Sequence, residues 1–336
     1  MSDSTIVGWS RLGALTDLRR TVRSVLELER LDATISRAGD CIVAEGGSPT
    51  RVARLLHHMP GVEWVAVGHS ATNVSGLHSG AARLAKKYLH GRRRFAVIAE
   101  SSQPDIRAGD LAGGVTAAVL GASKGARVDE GRPDAVFRVV WSGGGGATGV
   151  ELDGGPGGSP TGSERAVSMV SGGIHSSAVA WLALVAGFRV DLLHVKVDEE
   201  SLLHVARLYS ELSNRVDPAA LTLRVVEGGS VVHVVRDVQG AARVFSGTHP
   251  GSGAPSWLGK FVSSPAFLVP ESEFNAIASS LQLKGDGRAA RWSRTKGRAR
   301  TIQREIGGKR LDVSGVLEGL AHARPSRAET ILGRAS

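Results

Sequence analysis

The chain reads Gly155-Pro156-Gly157-Gly158-Ser159-Pro160-Thr161-Gly162 and then, after an apolar run at 166–170, Ser171-Gly172-Gly173-Ile174-His175-Ser176-Ser177. The order is an apolar strand, a turn of small residues and the start of an amphipathic helix. Proteins use this arrangement to place backbone N–H groups around a phosphate. In a parallel sheet the turn lies beyond the carboxyl end of its strand, which is where ligands bind. The stretch therefore predicts a nucleotide site in an α/β domain.

The turn has its own chemistry. Glycines allow an anion to approach the backbone closely, serine hydroxyls add hydrogen-bond donors, and a protonated histidine can contact phosphate directly. The spacing is neither that of a Walker loop nor that of a dinucleotide fingerprint. The candidate nucleotide-binding residues are Ser171, Gly172, Gly173, His175, Ser176 and Ser177.

Alternating helical and strand patterns run along the rest of the chain. Residues 1–68 predict the order βαββαβ, and residues 69–150 continue with helices and strands. The glycine-dense stretch 142–162 predicts a domain boundary, with a flexible linker as the alternative. Beyond it, apolar strand patterns alternate with helical ones, which favours a doubly wound parallel sheet.

Basic residues exceed acidic ones by 41 to 32, which gives a net charge of +9. A surplus of this size favours a polyanionic partner, above all nucleic acid. Part of it clusters between residues 83 and 94, and a second group runs from Lys284 to Arg310 around Trp292. The alternative for each group is a solvated helix face or a tail. The candidate RNA-binding residues are Lys86, Lys87, Arg92, Arg93 and Arg94.

Other classes of protein are excluded by composition. Cys41 is the only cysteine, so the chain alone forms no intramolecular disulfide and no cysteine-ligated zinc site or cluster. The histidines do not have the spacing of a metal site. No apolar segment reaches the roughly 18 residues of a membrane span, and the first residues lack a secretory pattern. These features predict a cytoplasmic protein with no membrane partner and no metal site of its own.

Two motifs add a resemblance to a known family. Ser171 to Ser177 resembles the S-G-G-x-D-S signature of PP-loop ATP pyrophosphatases. Gly155 to Gly162 is similar to the G-P-G-G-x-P-x-G element that precedes this loop in tRNA 4-thiouridine synthetases. The resemblance implies an α/β chain of three domains and a tail: a ferredoxin-like α+β domain over 1–68, a THUMP RNA-binding domain over 69–150, a doubly wound PP-loop domain (adenine nucleotide alpha-hydrolase-like) over 151–285 and a basic tail over 286–336.

The same resemblance implies tRNA thiolation. In this family ATP, accompanied by Mg²⁺, adenylates the C4 oxygen of a uridine in tRNA, and a sulfur nucleophile then displaces AMP. The loop residues would hold the pyrophosphate part of ATP. Residues 244–248 resemble, more loosely, a later turn of the same domain. A homodimer is a further candidate partner arrangement for the chain.

Two departures leave alternatives open. His175 stands where the loop signature has aspartate, and no cysteine follows Cys41. Thiolation would therefore need free sulfide or the persulfide of a carrier protein. The alternatives are a catalytically degenerate RNA-binding protein, and an ATP-dependent RNA-modifying enzyme that transfers a group other than sulfur.

Overall fold

A computed structural model describes residues 2–9, 14–90, 93–152, 154–196, 198–227 and 243–247, with positions 276, 277, 279, 281 and 304–306. The chain divides into two compact units, one ending at Pro160 and the next beginning at Thr161. Each unit has its own sheet and its own core.

The first unit opens with the predicted βαββαβ order. Its elements are β1 (Ser2–Trp9), α1 (Leu15–Leu28), β2 (Thr34–Ala38), β3 (Cys41–Glu45), α2 (Pro49–Leu56) and β4 (Val62–Ala71). Apolar side chains of both helices, among them Leu18 and Leu56, are fully buried with Val7 of β1. The buried positions recur at helix and strand spacing, and this is why the elements could be predicted from the sequence.

The second half of this unit alternates helices and strands. It contains α3 (Val74–Tyr88), β5 (Arg94–Ser101), α4 (Ala108–Ala122), β6 (Arg127–Val128), β7 (Ala135–Ser142) and β8 (Gly145–Glu151). All eight strands form one sheet in the order β2-β3-β1-β4-β8-β7-β5-β6. The predicted boundary at 68/69 lies within β4, which pairs with β1 on one side and β8 on the other. The first 71 residues and the following segment therefore share a sheet.

The glycine-dense stretch 142–162 is partly a strand, which corrects the linker interpretation. β8 lies in the middle of the sheet, between β4 and β7. Its glycines permit close packing of the backbones: a Cβ at Gly149 would lie 3.0 Å from the Cβ of Ala66 and 3.2 Å from the carbonyl carbon of Val67. The high glycine content that suggested a linker here instead allows β8 to pack tightly against its neighbours.

The second unit contains β9 (Arg165–Met169), α5 (Ile174–Val185), β10 (Arg189–Lys196), α6 (Glu199–Ser213), a 3-10 turn (Pro218–Ala220), β11 (Leu221–Glu227), β12 (Arg243–Ser246) and β13 (Arg304–Ile306). The strands lie in the order β12-β9-β10-β11-β13. β9 to β12 are parallel, and β13, within the predicted tail, pairs antiparallel with β11.

This strand order fixes where a ligand would bind. The chain moves from β9 to β10 and on to β11 in one direction, whereas β12 pairs with β9 on its opposite side. The order therefore reverses beside β9, and open parallel sheets bind ligands beyond the carboxyl ends of strands at such a reversal. The loop Ser171–Ser177 follows β9 directly. The core beneath it includes the fully buried Val179, Leu184 and Leu192.

Candidate functional site

The loop after β9 ends in a helix start that has no side-chain cap. Gly173 is the N-cap of α5, with extended backbone (φ −78°, ψ 159°) and no side-chain capping hydrogen bond. The first N–H groups of a helix have no acceptor within the helix, and they carry partial positive charge. An anion placed here would take the position that a capping side chain takes elsewhere, as Asp198 does for α6. The geometry suits a phosphate group.

Two of the predicted phosphate ligands hold the loop together. The hydroxyls of Ser176 and Ser177 donate to the carbonyl of Gly173 at 2.9 and 3.0 Å. The backbone N–H of Ser171 donates to the Ser176 hydroxyl at 3.2 Å. Both side chains are buried, whereas Ser171 is exposed. The contacts of Ser176 and Ser177 thus stabilise the turn itself.

Gly172 adopts a backbone conformation that suits glycine. Its φ is +86°, in the left-handed region where a Cβ is strained. A Cβ here would also lie 3.0 Å from the Cβ of His204 and 3.5 Å from the carbonyl oxygen of Ser201, both on α6. The loop therefore packs against the beginning of α6 as well as following β9.

Gly247 meets the loop from the other side of the reversal. It follows β12, and a Cβ at this position would overlap the backbone nitrogen of Ser176 and lie 2.6 Å from the carbonyl carbon of His175. The close approach requires glycine. The sequence hinted at this residue through the loose similarity of 244–248 to a family turn, but the contact itself depends on β12 pairing beside β9.

His175 is half-buried in the first turn of α5. Within the described ranges, no group of three or more histidine, cysteine or carboxylate side chains could hold a metal ion. Mg²⁺ that accompanies a nucleotide usually keeps several waters and is held by phosphate oxygens and one or two carboxylates. The loop fits a nucleotide phosphate through its backbone and offers Mg²⁺ no dedicated carboxylate cage among these residues.

His194 and Asp198 are close in sequence and have separate contacts. His194 is buried on β10 and Asp198 follows that strand, where its carboxylate accepts the N–H of Ser201 at 2.7 Å. The ring nitrogens of His194 lie 2.9 Å from the carbonyl oxygen of Val170 and 3.4 Å from the Ser201 hydroxyl. Burial lowers the pKa of His194, so its ring is neutral near pH 7.

Cys41 is a core residue on β3. Only 1% of it is exposed, and its thiol is 3.8 Å from a carboxylate oxygen of Glu100. Burial, and then the charge of Glu100, raise the pKa of the thiol far above its ordinary value. A thiol in this state is a poor nucleophile.

The glycine-proline motif before β9 is hydrogen-bonded at both ends. In the first unit, the N–H groups of Gly155 and Gly157 donate to the carbonyls of Glu63 and Val62. In the second unit, the N–H of Gly162 donates to the carbonyl of Gly187 at 2.8 Å. These contacts give the motif a defined backbone in each unit.

The predicted RNA-binding residues lie at one end of the first unit. Lys86 and Lys87 are exposed in the last turn of α3, and Arg93 is exposed just before β5. Arg92 lies outside the described residues. Arg94 is bound to acidic neighbours: its guanidinium is 2.9 Å from Asp134, whose pKa it holds at about 2 through hydrogen bonding. Arg94 therefore adds little unbalanced charge.

Two further cations come to the same end of the unit. The Ser123 hydroxyl at the end of α4 donates to the carbonyl of Leu89 after α3, and the N–H of Arg127 donates to the carbonyl of Arg93. These bonds bring exposed cations from three segments together, and we name the group the basic end. Its members are Arg83, Lys86, Lys87, Arg93, Lys124 and Arg127. Sequence spacing missed the last two because α4 separates them from the others.

The fold is similar to that of two solved structures. PH1313 from Pyrococcus horikoshii Ot3 superposes with a TM-score of 0.67 at 20% identity, covering 84% of this chain and 100% of that one. A 4-thiouridine synthetase in complex with RNA and ATP has a TM-score of 0.66 at 16% identity, covering 100% of this chain and 97% of the other. No protein-family model and no curated protein matches the chain by sequence.

At these identities the likeness establishes architecture. It confirms the predicted fold class, an α/β chain with N-terminal α+β segments followed by a doubly wound domain. Among the described helices, none is both long and apolar enough to cross a bilayer. The chain therefore shares the fold of these two solved structures, with its glycine-serine loop at the sheet's reversal point.

Proposed function

We propose that the protein binds tRNA and uses ATP to modify it, as a sulfurtransferase that forms 4-thiouridine. The observation that carries this proposal is the loop Ser171–Ser177, which begins an uncapped helix at the reversal of a parallel sheet. A neighbour with the same architecture throughout is a 4-thiouridine synthetase solved with RNA and ATP.

The loop residues would hold the phosphates of ATP. The backbone N–H groups at the start of α5 would face the phosphates, and the exposed Ser171 hydroxyl, which lies 3.3 Å from the Ser176 hydroxyl, would turn to a phosphate oxygen. When bound, ATP would supply the AMP group that converts the uridine C4 oxygen into a leaving group, with release of pyrophosphate. Gly172 and Gly247 keep the backbone close to α6 and β12 respectively, so the donors stay oriented.

The sulfur would come from outside the chain. The second unit contains no cysteine, and the thiol of Cys41 is buried and protonated. Free sulfide would displace AMP from the activated carbon and give 4-thiouridine directly. The persulfide of a carrier protein would displace AMP to form a disulfide between the carrier and the base, which a second thiol, on the carrier or free, would cleave to release 4-thiouridine. This assignment makes the chain an activating and positioning enzyme, with Mg²⁺ arriving on the nucleotide.

The basic end would bind the RNA phosphates. Its cations are exposed and belong to the ends of two helices and the starts of two adjacent strands. Such a surface recognises folded RNA by shape and charge without reading bases. Each phosphate neutralised would contribute a slope of about −0.7 to −0.9 in log affinity against log salt.

A second candidate function is RNA binding without turnover. It is favoured by His175 in the loop and by the lack of a carboxylate cage or a cysteine near it among the described residues. A third candidate transfers a group other than sulfur after the same adenylation.

One assay separates the three functions. Unmodified tRNA, ATP, Mg²⁺ and sulfide are incubated with the protein, and released AMP and pyrophosphate are quantified beside nucleoside mass spectrometry. The proposal predicts tRNA-dependent AMP and 4-thiouridine in equal amounts. Release of pyrophosphate or AMP without 4-thiouridine would favour another transferred group. Binding of tRNA with release of neither AMP nor pyrophosphate would favour the non-catalytic protein.

A further inference from the structure

His194 connects the elements around the loop. It lies near the carboxyl end of β10 with 1% of its surface exposed. Its Nδ1 is 2.9 Å from the carbonyl oxygen of Val170, the residue between β9 and the loop. Because a carbonyl only accepts hydrogen bonds, Nδ1 carries the proton and donates it.

The other ring nitrogen faces α6. Nε2 is 3.4 Å from the hydroxyl of Ser201, in the first turn of that helix. This turn is itself fixed, since the carboxylate of Asp198 accepts the N–H of Ser201 at 2.7 Å. The single proton of the Ser201 hydroxyl is shared between two acceptors, Nε2 of His194 and the Asp198 carbonyl oxygen at 2.9 Å. One buried ring thus spans the end of β9 and the start of α6.

Both ends of this connection adjoin the loop. Val170 immediately precedes Ser171, and the Ser201 carbonyl is one of the groups against which Gly172 packs. A displacement of either element would change the direction of the loop's backbone donors. Donors that bind phosphate are effective only when they are held in the binding orientation.

We propose that His194 is a positioning residue for the nucleotide site, because its Nδ1–H bond to Val170 fixes the backbone where β9 becomes the phosphate loop. The inference rests on the proposed function in one respect, that the loop binds ATP. A histidine serving the core alone would tolerate an apolar replacement of similar volume with no effect on the loop. Burying a polar ring is unfavourable unless it is hydrogen-bonded, and both of its nitrogens face polar partners here.

Three substitutions separate positioning from packing. His194→Leu removes the donor but keeps an apolar side chain in the core. His194→Asn keeps a donor near the place of Nδ1, whereas His194→Gln moves its amide towards the place of Nε2. We expect ATP affinity to fall at least tenfold in the Leu and Gln variants and to stay within about threefold of the wild type in the Asn variant.

Amide hydrogen exchange across 170–176 gives a readout that needs no nucleotide. The Leu and Gln variants should exchange faster over this segment, and the Asn variant should resemble the wild type. Equal ATP affinity and equal exchange in all three variants would overturn the inference, as would equal losses in Asn and Gln. If the wild type itself fails to bind ATP, the proposed function fails, and the exchange pattern still decides whether His194 holds the loop.

A folding control keeps the comparison interpretable. Circular dichroism and urea denaturation report whether each variant keeps the second unit folded, and unchanged affinity for tRNA shows that the first unit, which holds the basic end, is intact. A Leu variant that unfolds is set aside, and the Asn and Gln pair then carries the test alone, because both replacements are polar and differ mainly in where the amide lies.

Discussion

Gly247, at the end of β12, lies directly against the backbone nitrogen of Ser176 in the first turn of α5. The two residues are 71 positions apart in sequence, and they meet because β12 pairs with β9 on the side away from β10. The contact packs the residue after β12 against the loop Ser171–Ser177, which follows β9. It also makes a side chain at 247 incompatible with the described backbone.

Gly247→Ala should therefore weaken ATP binding. The added Cβ would overlap Ser176 and push the helix start out of position, so we expect at least a tenfold loss of ATP affinity by calorimetry. Affinity for tRNA should change less than twofold. Gly113→Ala is a matched control, because a Cβ there meets nothing within 4 Å on the exposed side of α4.

The control variant Gly113→Ala should itself be more stable than the wild type. Alanine in a helix interior is more favourable than glycine by roughly 0.5–1 kcal/mol, so Gly113→Ala should raise the free energy of unfolding of the first unit by about that amount. Urea denaturation followed by circular dichroism measures it. Destabilisation by this variant would mean that the described exposure of α4 is wrong.

Cys41 should not react in the folded protein. Its thiol is buried and its pKa is raised, so iodoacetamide should label it only after unfolding. Cys41→Ala should keep the thiolation activity obtained with external sulfide, at a cost in stability of about 1 kcal/mol for the lost packing. Loss of thiolation in a folded Cys41→Ala protein would contradict the assignment of the sulfur to an outside donor.

The cations of the basic end should differ from Arg94 in their effect on RNA binding. Lys87→Gln and Arg127→Gln each remove an exposed charge, and each should weaken tRNA binding and reduce the salt slope by about 0.7–0.9 if that charge meets a phosphate. Arg94→Gln should change the slope less, because Asp134 balances the guanidinium. Filter binding at several salt concentrations measures these slopes.

Arg23→Gln serves as the surface control for those variants. Arg23 is exposed on α1, and its replacement should leave both affinity and salt slope unchanged. A slope change for Arg94→Gln as large as that for Arg127→Gln would show that the acidic partners do not balance Arg94.

Acidification should destabilise the second unit through His194. Burial lowers the pKa of His194 in the folded state, so below the ordinary value of about 6.5 the unfolded chain binds a proton that the folded chain does not. The stabilisation is present above that pH and is lost as the pH falls towards the folded pKa, by at most about 1.4 kcal/mol per pH unit. Lys196 acts in the same direction as burial, whereas Asp198 and the Val170 bond oppose it.

His194→Asn isolates this effect. The variant lacks the titrating ring, so its free energy of unfolding should depend less on pH between about 6.5 and 5 than that of the wild type. Urea denaturation at a series of pH values gives the comparison. Identical pH dependence in the two proteins would assign the acid sensitivity to other groups.

Much of the architecture follows from periodicity in the sequence. The order βαββαβ at the start and the strand before Ser171 could be predicted, because buried apolar positions recur at strand and helix spacing. The strand β8 could not, since its glycines resemble a linker and their value lies in close pairing with β4. Long-range pairing is not encoded in any local pattern.

The candidate site also has one part that could be predicted from the sequence and one part that could not. The loop residues could be chosen from their motif, but the inward bonds of Ser176 and Ser177, the contact of Gly247 and the bridge made by His194 depend on which strands become neighbours. Likewise, Arg94 could not be distinguished from Arg93 by sequence, because its partner Asp134 lies 40 residues away. Local sequence therefore predicts which residue types form a site more readily than it predicts which partners their side chains contact.

The central claim is that the loop Ser171–Ser177 holds the phosphates of ATP, and Gly173→Asp tests it most directly. The variant places a carboxylate at the start of α5, whereas the control Ser163→Asp adds the same charge at the exposed opposite end of β9. Calorimetry should show ATP binding for the wild type and the control and none for Gly173→Asp, with tRNA affinity equal in all three. Unchanged ATP binding by a folded Gly173→Asp protein would contradict the claim.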